Sequence, residues 1–261
     1  MKRQLLALVC GTASGYLIGK ALGINAYPFL PLAHSHLWLM RVLALFAIGV
    51  LAGAITSLIS WRHTPGLPGM SFSLAIAMLG LASRPSAGSD VRELATEVWV
   101  SYTMEALLIL FSMLLTYMLA WAVDTKIVFR KLVVKPAAKQ INSRLMLTQL
   151  LPCCLLTAIG GVIALLLPIT VLITLVPSFA LVSFLASSLF KSRSTLWYSA
   201  SAPLYIALAG FLVLSIPSLF NIITPPNIDL NRSFIFCGLG SAGAIFGHWL
   251  WVAFSKRPIT S

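Results

Sequence analysis

Apolar residues fill long stretches of this chain, and polar residues are confined mostly to the intervals between them. A helix needs about 20 consecutive apolar residues to cross the hydrocarbon core of a bilayer. On that length criterion the pattern predicts eight spans: about 4–22, 37–60, 67–83, 98–123, 146–167, 169–190, 203–223 and 233–254. The third is short and opens in a cluster of Pro65, Gly66, Pro68 and Gly69. The fifth and sixth are separated only by Pro168, with no polar turn, so 146–190 reads either as two full spans or as a broken hairpin. The expected fold class is therefore all-α: a polytopic membrane helix bundle of about eight transmembrane helices. It forms a single transmembrane helical domain over 1–261.

Composition agrees. Of 261 residues, 59% are apolar and 9% are charged. Soluble domains average roughly 45–50% apolar and 25% charged, so a soluble fold would lack polar groups to cover its surface. The mean hydropathy of +0.96 points the same way. Cys10, Cys153, Cys154 and Cys237 all lie in apolar stretches, have no zinc-type spacing, and read as small packing residues rather than disulfide partners. The N-terminal Met1–Cys10 segment reads as the start of an uncleaved first helix rather than a signal peptide.

A net charge of +12 would ordinarily suggest nucleic acid, but the positions of the charges argue against it. With the N-terminus inside and eight alternating spans, one side receives Lys2, Arg3, Arg62, Lys126, Arg130, Lys131, Lys135, Lys139, Arg144, Lys191, Arg193, Lys256 and Arg257. The other receives only Lys20, Arg41, Arg84, Arg92 and Arg232. That is the positive-inside pattern, with both termini cytoplasmic. Dropping the third span, or fusing the fifth and sixth, would place several basic residues on the wrong side. No nucleic-acid partner is expected.

Residues 124–144 form the longest inner loop and carry Lys126, Arg130, Lys131, Lys135, Lys139 and Arg144 against a single acid, Asp124. Such a loop fixes topology and attracts anionic headgroups, at roughly 1 kcal/mol per basic residue near the surface. A soluble protein partner docked there, or a membrane partner on the lipid-facing helices, is the second expectation. On the outer side, Asp90 and Glu93 have capping-box spacing and predict a helix start ahead of the fourth span. No repeat relates the two halves of the chain.

Few residues carry chemistry. Glu105 is the one acid inside an expected span, and a buried carboxylate costs several kcal/mol unless it is paired or protonated. It lies about 10 Å below the outer edge, counted at ~1.5 Å per residue from Val98, and Arg41 lies about 6 Å in from Leu37 on the same rise. Ser101, Ser112 and Thr116 fall near the same helix face as Glu105. Two readings follow: a buried ion pair that fixes helix register, or a proton or substrate site built from Glu105, Arg41, Ser112 and Thr116.

His248 and Ser241 share a face of the last span but stand about 10 Å apart along the axis, beyond the reach of a catalytic dyad. His34, His36, Glu93 and Glu97 are too generic a set to predict a metal site. The chain has neither a P-loop nor a dinucleotide fingerprint, and neither a metal nor a cofactor is expected.

Gly11, Gly15 and Gly19 recur at four-residue spacing, as do Gly49 and Gly53, and Gly243 and Gly247. Small residues in this pattern let helix backbones approach in lipid, where there is no hydrophobic drive between helices. The functional expectation is a small transporter or permease component of a bacterial inner membrane. A non-catalytic subunit or assembly factor comes second. A membrane enzyme on a lipid-linked substrate is third, since such sites cluster acids and this chain has only six.

Overall fold

The chain enters the bilayer as helices because a segment surrounded by lipid must satisfy every backbone N–H and C=O internally. The computed structural model describes residues 2–22, 35–58, 66–82, 95–129, 171–190, 195–216 and 233–255, and these are all-helical apart from the residues flanking α3 and α6. The helices are α1 (Lys2–Leu22), α2 (Ser35–Leu58), α3 (Leu67–Ala82), α4 (Ala95–Phe129), α5 (Val171–Phe190), α6 (Thr195–Ser215) and α7 (Ser233–Ser255). Four of them contain stretches long and apolar enough to cross a membrane: Gln4–Leu22, Leu39–Leu58, Thr103–Ala122 and Phe234–Ser255. The apolar segments of α3, α5 and α6 are shorter. By length and composition this is an integral membrane protein.

Several boundaries differ from those the hydropathy pattern predicts. The fifth expected span, 146–167, and the Pro168 divider lie outside the described residues, as do Asp90 and Glu93. Helix α4 runs on to Phe129, so the first turns of the expected 124–144 loop are helical. Helix α6 covers Thr195–Ser215 rather than beginning at Pro203, which sits inside it. Proline removes one helical hydrogen bond and crowds the carbonyl four residues back. Neighbouring helices and serine hydroxyls make this tolerable in a membrane bundle. Here Ser201 Oγ donates to the Tyr198 carbonyl at 2.8 Å, one residue before the crowded Ser199. Pro177 likewise lies inside α5.

Helix α3 is the axis of the bundle. It packs against α1, α2, α4, α6 and α7. Most of its residues are buried, from Leu67 and Phe72 to Leu79 and Ala82, and its less buried stripe runs through Met70, Leu74 and Met78 to the exposed Leu81. It starts at Gly66, whose φ of 91° is one that L side chains rarely adopt. The Met70 amide donates to the Gly66 carbonyl at 2.9 Å and closes the first turn.

The contacts set the direction of each helix. Gly11, Gly15 and Gly19 of α1 meet Ser71, Ala75 and then Leu79 and Ala82 of α3, so α1 and α3 run parallel. Gly49 and Gly53 of α2 meet Ser112 and Thr116 of α4, again parallel. Gly243 and Gly247 of α7 meet Val176 and Ala180 of α5, parallel once more. Gly80 and Gly238 bring α3 and α7 together head to tail. Ser187, near the end of α5, meets Tyr198, near the start of α6. Helices α2, α4, α5 and α7 therefore point one way, and α1, α3 and α6 the other.

Two apolar cores result. One joins Leu45, Ile48, Phe72, Ile76, Ile109 and Met113 across α2, α3 and α4, and reaches Phe234 and Cys237 of α7. The second joins Leu175, Phe179, Tyr198 and Ile245 across α5, α6 and α7. The outer faces are apolar as well, with Leu17, Phe111, Met118, Leu189 and Phe211 all exposed, as a lipid-facing surface requires.

Candidate functional site

Glu105 lies two to three turns into α4 and Arg41 lies two turns into α2. Because those helices run parallel from the same end, the two side chains come level and meet. Arg41 Nη1 donates to Glu105 Oε1, and the two form an ion pair. Both residues are buried, at 4% and 3% exposure. A charge at this depth demands an opposite charge and further polar contacts. The Arg41 guanidinium also stands over the Phe234 ring, 5.7 Å from its centroid, where the negative face of the ring favours a cation. The pair thus sits where α2, α4 and α7 meet, at the end of the bundle where those helices begin.

The rest of the α4 face follows the helical repeat. Ser112, two turns beyond Glu105, is fully buried, and among the described residues its hydroxyl has no hydrogen-bond partner. Thr116, one turn further, donates from Oγ1 to the Ser112 carbonyl at 2.8 Å and reaches the Gly49 carbonyl of α2 at 3.1 Å. That second contact needs the close approach of α2 and α4. A Cβ at Gly49 would lie 3.0 Å from the Ser112 carbonyl oxygen, and one at Gly53 would lie 3.0 Å from that of Thr116. Ser101 belongs to α4, but its side chain lies outside the described set.

The glycines of α1 and α7 make similar approaches. A Cβ at Gly15 would overlap the backbone of Ala75, and one at Gly247 would overlap the carbonyl of Ala180. Hydroxyl groups elsewhere in the bundle mostly turn back on their own helix, as Thr56 does to Ala52 at 2.6 Å and Ser183 to Ala180 at 3.1 Å. That habit leaves the unpartnered Ser73, Ser112 and Ser241 as exceptions among the described residues.

A second polar group occupies the opposite end, built around His248 from residues on three helices. Ser187 of α5 donates to the Tyr198 hydroxyl of α6 at 2.9 Å, and its Oγ lies 3.0 Å from His248 Nδ1 of α7. Tyr198 stacks on His248 with centroids 4.8 Å apart. Close by, Tyr117 of α4 and Ser199 of α6 share a hydrogen bond of 2.8 Å. The signal in the chain is the run of hydroxyls on α5, with Ser183 and Ser187 spaced four apart beside Thr174, Ser178 and Ser188. Ser241, which the helical rise already places beyond reach of His248, makes no bond to it.

The remaining candidate residues fall on segments or side chains outside the described set. Lys126 belongs to α4, but its side chain is outside the described set. Arg130, Lys131, Lys135, Lys139 and Arg144 lie outside the described residues, as does His34. His36 and Glu97 belong to α2 and α4, with side chains outside the described set. Among the described residues no three of His, Cys, Asp and Glu converge as metal ligands. No protein-family model, curated protein or solved structure matches the chain.

Proposed function

We propose that this protein is a small transporter or permease component of a bacterial inner membrane, with the Arg41–Glu105 pair as its switchable centre. The observation that carries this reading is a buried, salt-bridged carboxylate with a hydroxyl two turns along the same face that has no partner among the described residues. Ionisable groups inside a membrane are costly and are characteristic of ion and substrate paths. Glu105 can hold Arg41 as an ion pair, or release it on protonation. Ser112 and Thr116 place hydroxyls along the seam between α2 and α4, on the path of a proton moving from the pair.

The accompanying topology has eight spans and both termini in the cytoplasm. Two observations support it. Basic residues concentrate on one side of the alternating scheme. Helices α4 and α5 also point the same way, so an odd number of crossings separates them. The apolar stretch at 146–167 is long enough to supply one. The basic residues of 124–144 then face the anionic inner leaflet.

The competing reading, a non-catalytic subunit, draws on the same pair. Arg41 and Glu105 neutralise each other, and an ion pair that only fixes helix register would have that form. The paired variant Arg41→Gln, Glu105→Gln separates the two, because it removes both charges and leaves neither buried alone. A transporter so altered is folded and fails to complement a deletion strain. Full complementation by the folded double variant would remove the pair from transport and favour the subunit.

A further inference from the structure

We propose that His248 is a proton-binding site, held at the α5–α6 end of the bundle and separate from the Arg41–Glu105 pair. It does not rest on the transport reading.

The hydrogen-bond chain fixes the tautomer. A serine hydroxyl has one proton to donate. Ser187 gives its proton to the Tyr198 hydroxyl at 2.9 Å. In the 3.0 Å contact between Ser187 Oγ and His248 Nδ1, the hydrogen must therefore sit on Nδ1, with Ser187 accepting. A neutral imidazole carries one hydrogen, so Nε2 keeps a bare lone pair. Binding a proton there converts the ring to imidazolium without breaking the Nδ1–H···Oγ bond. The proton comes from water, and the ring gains one positive charge.

Two aromatic rings flank the imidazole. The imidazole stacks on Tyr198 at 4.8 Å with the planes 20° apart, and Trp251 stands 5.8 Å away, inclined at 31°. Aromatic faces attract a cation, more strongly where water is excluded. The ring has little room to swing away. His248 is 1% exposed, and the preceding Gly247 is pressed against Ala180 and Ser183 of α5.

Among the described side chains, no acid lies at this end of the bundle. Helices α3 and α5 contain no titratable residue, α6 contains only Tyr198 and Tyr205, and α7 adds only Cys237. Helix α4 contributes Tyr117, tied to Ser199, and also contains Glu97, Tyr102, Asp124 and Lys126, whose side chains lie outside the described set. Its Glu105 belongs to the far end: Arg41, its partner, stands over Phe234, fourteen residues before His248 and so about 21 Å away along the α7 axis at ~1.5 Å per residue.

The test is nitrogen NMR of the full-length protein in detergent micelles, labelled with 15N only at histidine, across about pH 4 to 9, the range that brackets imidazole titration. One resonance pair should vanish in His248→Gln. In wild type it should report an Nδ1–H neutral ring at the upper end and a doubly protonated ring at the lower end. Ser187→Ala should keep the titration and shift the Nδ1 resonance, because the acceptor is gone. Should His248→Gln fail to fold, Trp251→Phe is the second variant. Low pH should quench wild-type tryptophan fluorescence through the neighbouring imidazolium, and Trp251→Phe should lose that quench. A His248 ring that stays neutral throughout, an Nε2–H tautomer, or a quench unchanged in Trp251→Phe would each overturn the proposal.

Discussion

At the scale of single residues, burial decides what each charge does. Arg41 and Glu105 are stable inside the bundle only as a pair, since a lone buried charge left behind costs about 3–5 kcal/mol. Glu105→Gln alone should lower the melting temperature in detergent clearly, because Arg41 keeps its charge and loses its counterion. Adding Arg41→Gln should recover most of that loss. Equal melting temperatures for the single and double variants would show that the pair is not coupled. Ser112 gives a prediction of the opposite sign. Its hydroxyl is buried without a partner among the described residues, and such a group is desolvated by about 1–3 kcal/mol without return. Ser112→Ala should leave stability unchanged or raise it. A clear drop in melting temperature would mean that the hydroxyl is satisfied. The depth of Arg41 and Glu105 was legible in the sequence, because axial rise is local arithmetic. The pairing of His248 with Ser187 was not. Those residues lie on different helices, and neither has a neighbour in sequence that points to the other.

At the scale of helices, backbone proximity replaces the hydrophobic effect. Gly15 is buried where α1 runs against the carbonyl of Ala75, and no side-chain movement can make room for a larger residue there. Gly15→Leu should cost at least the 1–3 kcal/mol typical of overpacking, and more if the helices separate. Leu17 on the same helix is 64% exposed, so Leu17→Ala should stay within about 0.5 kcal/mol. The comparison is of melting temperatures in one detergent. A neutral Gly15→Leu would mean that α1 and α3 do not meet there. The glycine spacing was visible in the chain, but which helix each glycine meets was not. Spacing selects a face of one helix, whereas the partner depends on how all the helices are arranged. The same limit explains the seventh span. Proline marked a start at Pro203 by the rules for helices in water, yet α6 begins eight residues earlier, as helices packed in a membrane bundle tolerate an interior proline.

At the scale of the whole molecule, the parallel course of α4 and α5 is the tightest constraint on topology. Reporter fusions after Ser89 and after Lys139 should fall in opposite compartments, the first outside and the second in the cytoplasm. Matching signals would sink the eight-span arrangement. The central place of α3 carries its own consequence. It touches five other described helices, so disturbance of its tight start should spread further than disturbance of α1 at the edge. A β-branched residue at Gly66 forces an unfavourable φ there, and Gly66→Val should reduce the yield of folded protein more than the peripheral Leu17→Ala.

The chain by itself determined that this is a helical membrane protein and, within a few residues, where most of its described helices lie. Those properties depend on the length of apolar runs and the thickness of a bilayer, both read locally. Only the tertiary structure decided that α3 is central, that α2 carries Arg41 to Glu105, and that α5, α6 and α7 close around His248. In water, the polar face of a helix marks its outside. In lipid, exposed Leu17 and Phe111 are as apolar as buried Leu45 and Ile109, so the hydropathy pattern loses the signal that would orient each helix towards its neighbours.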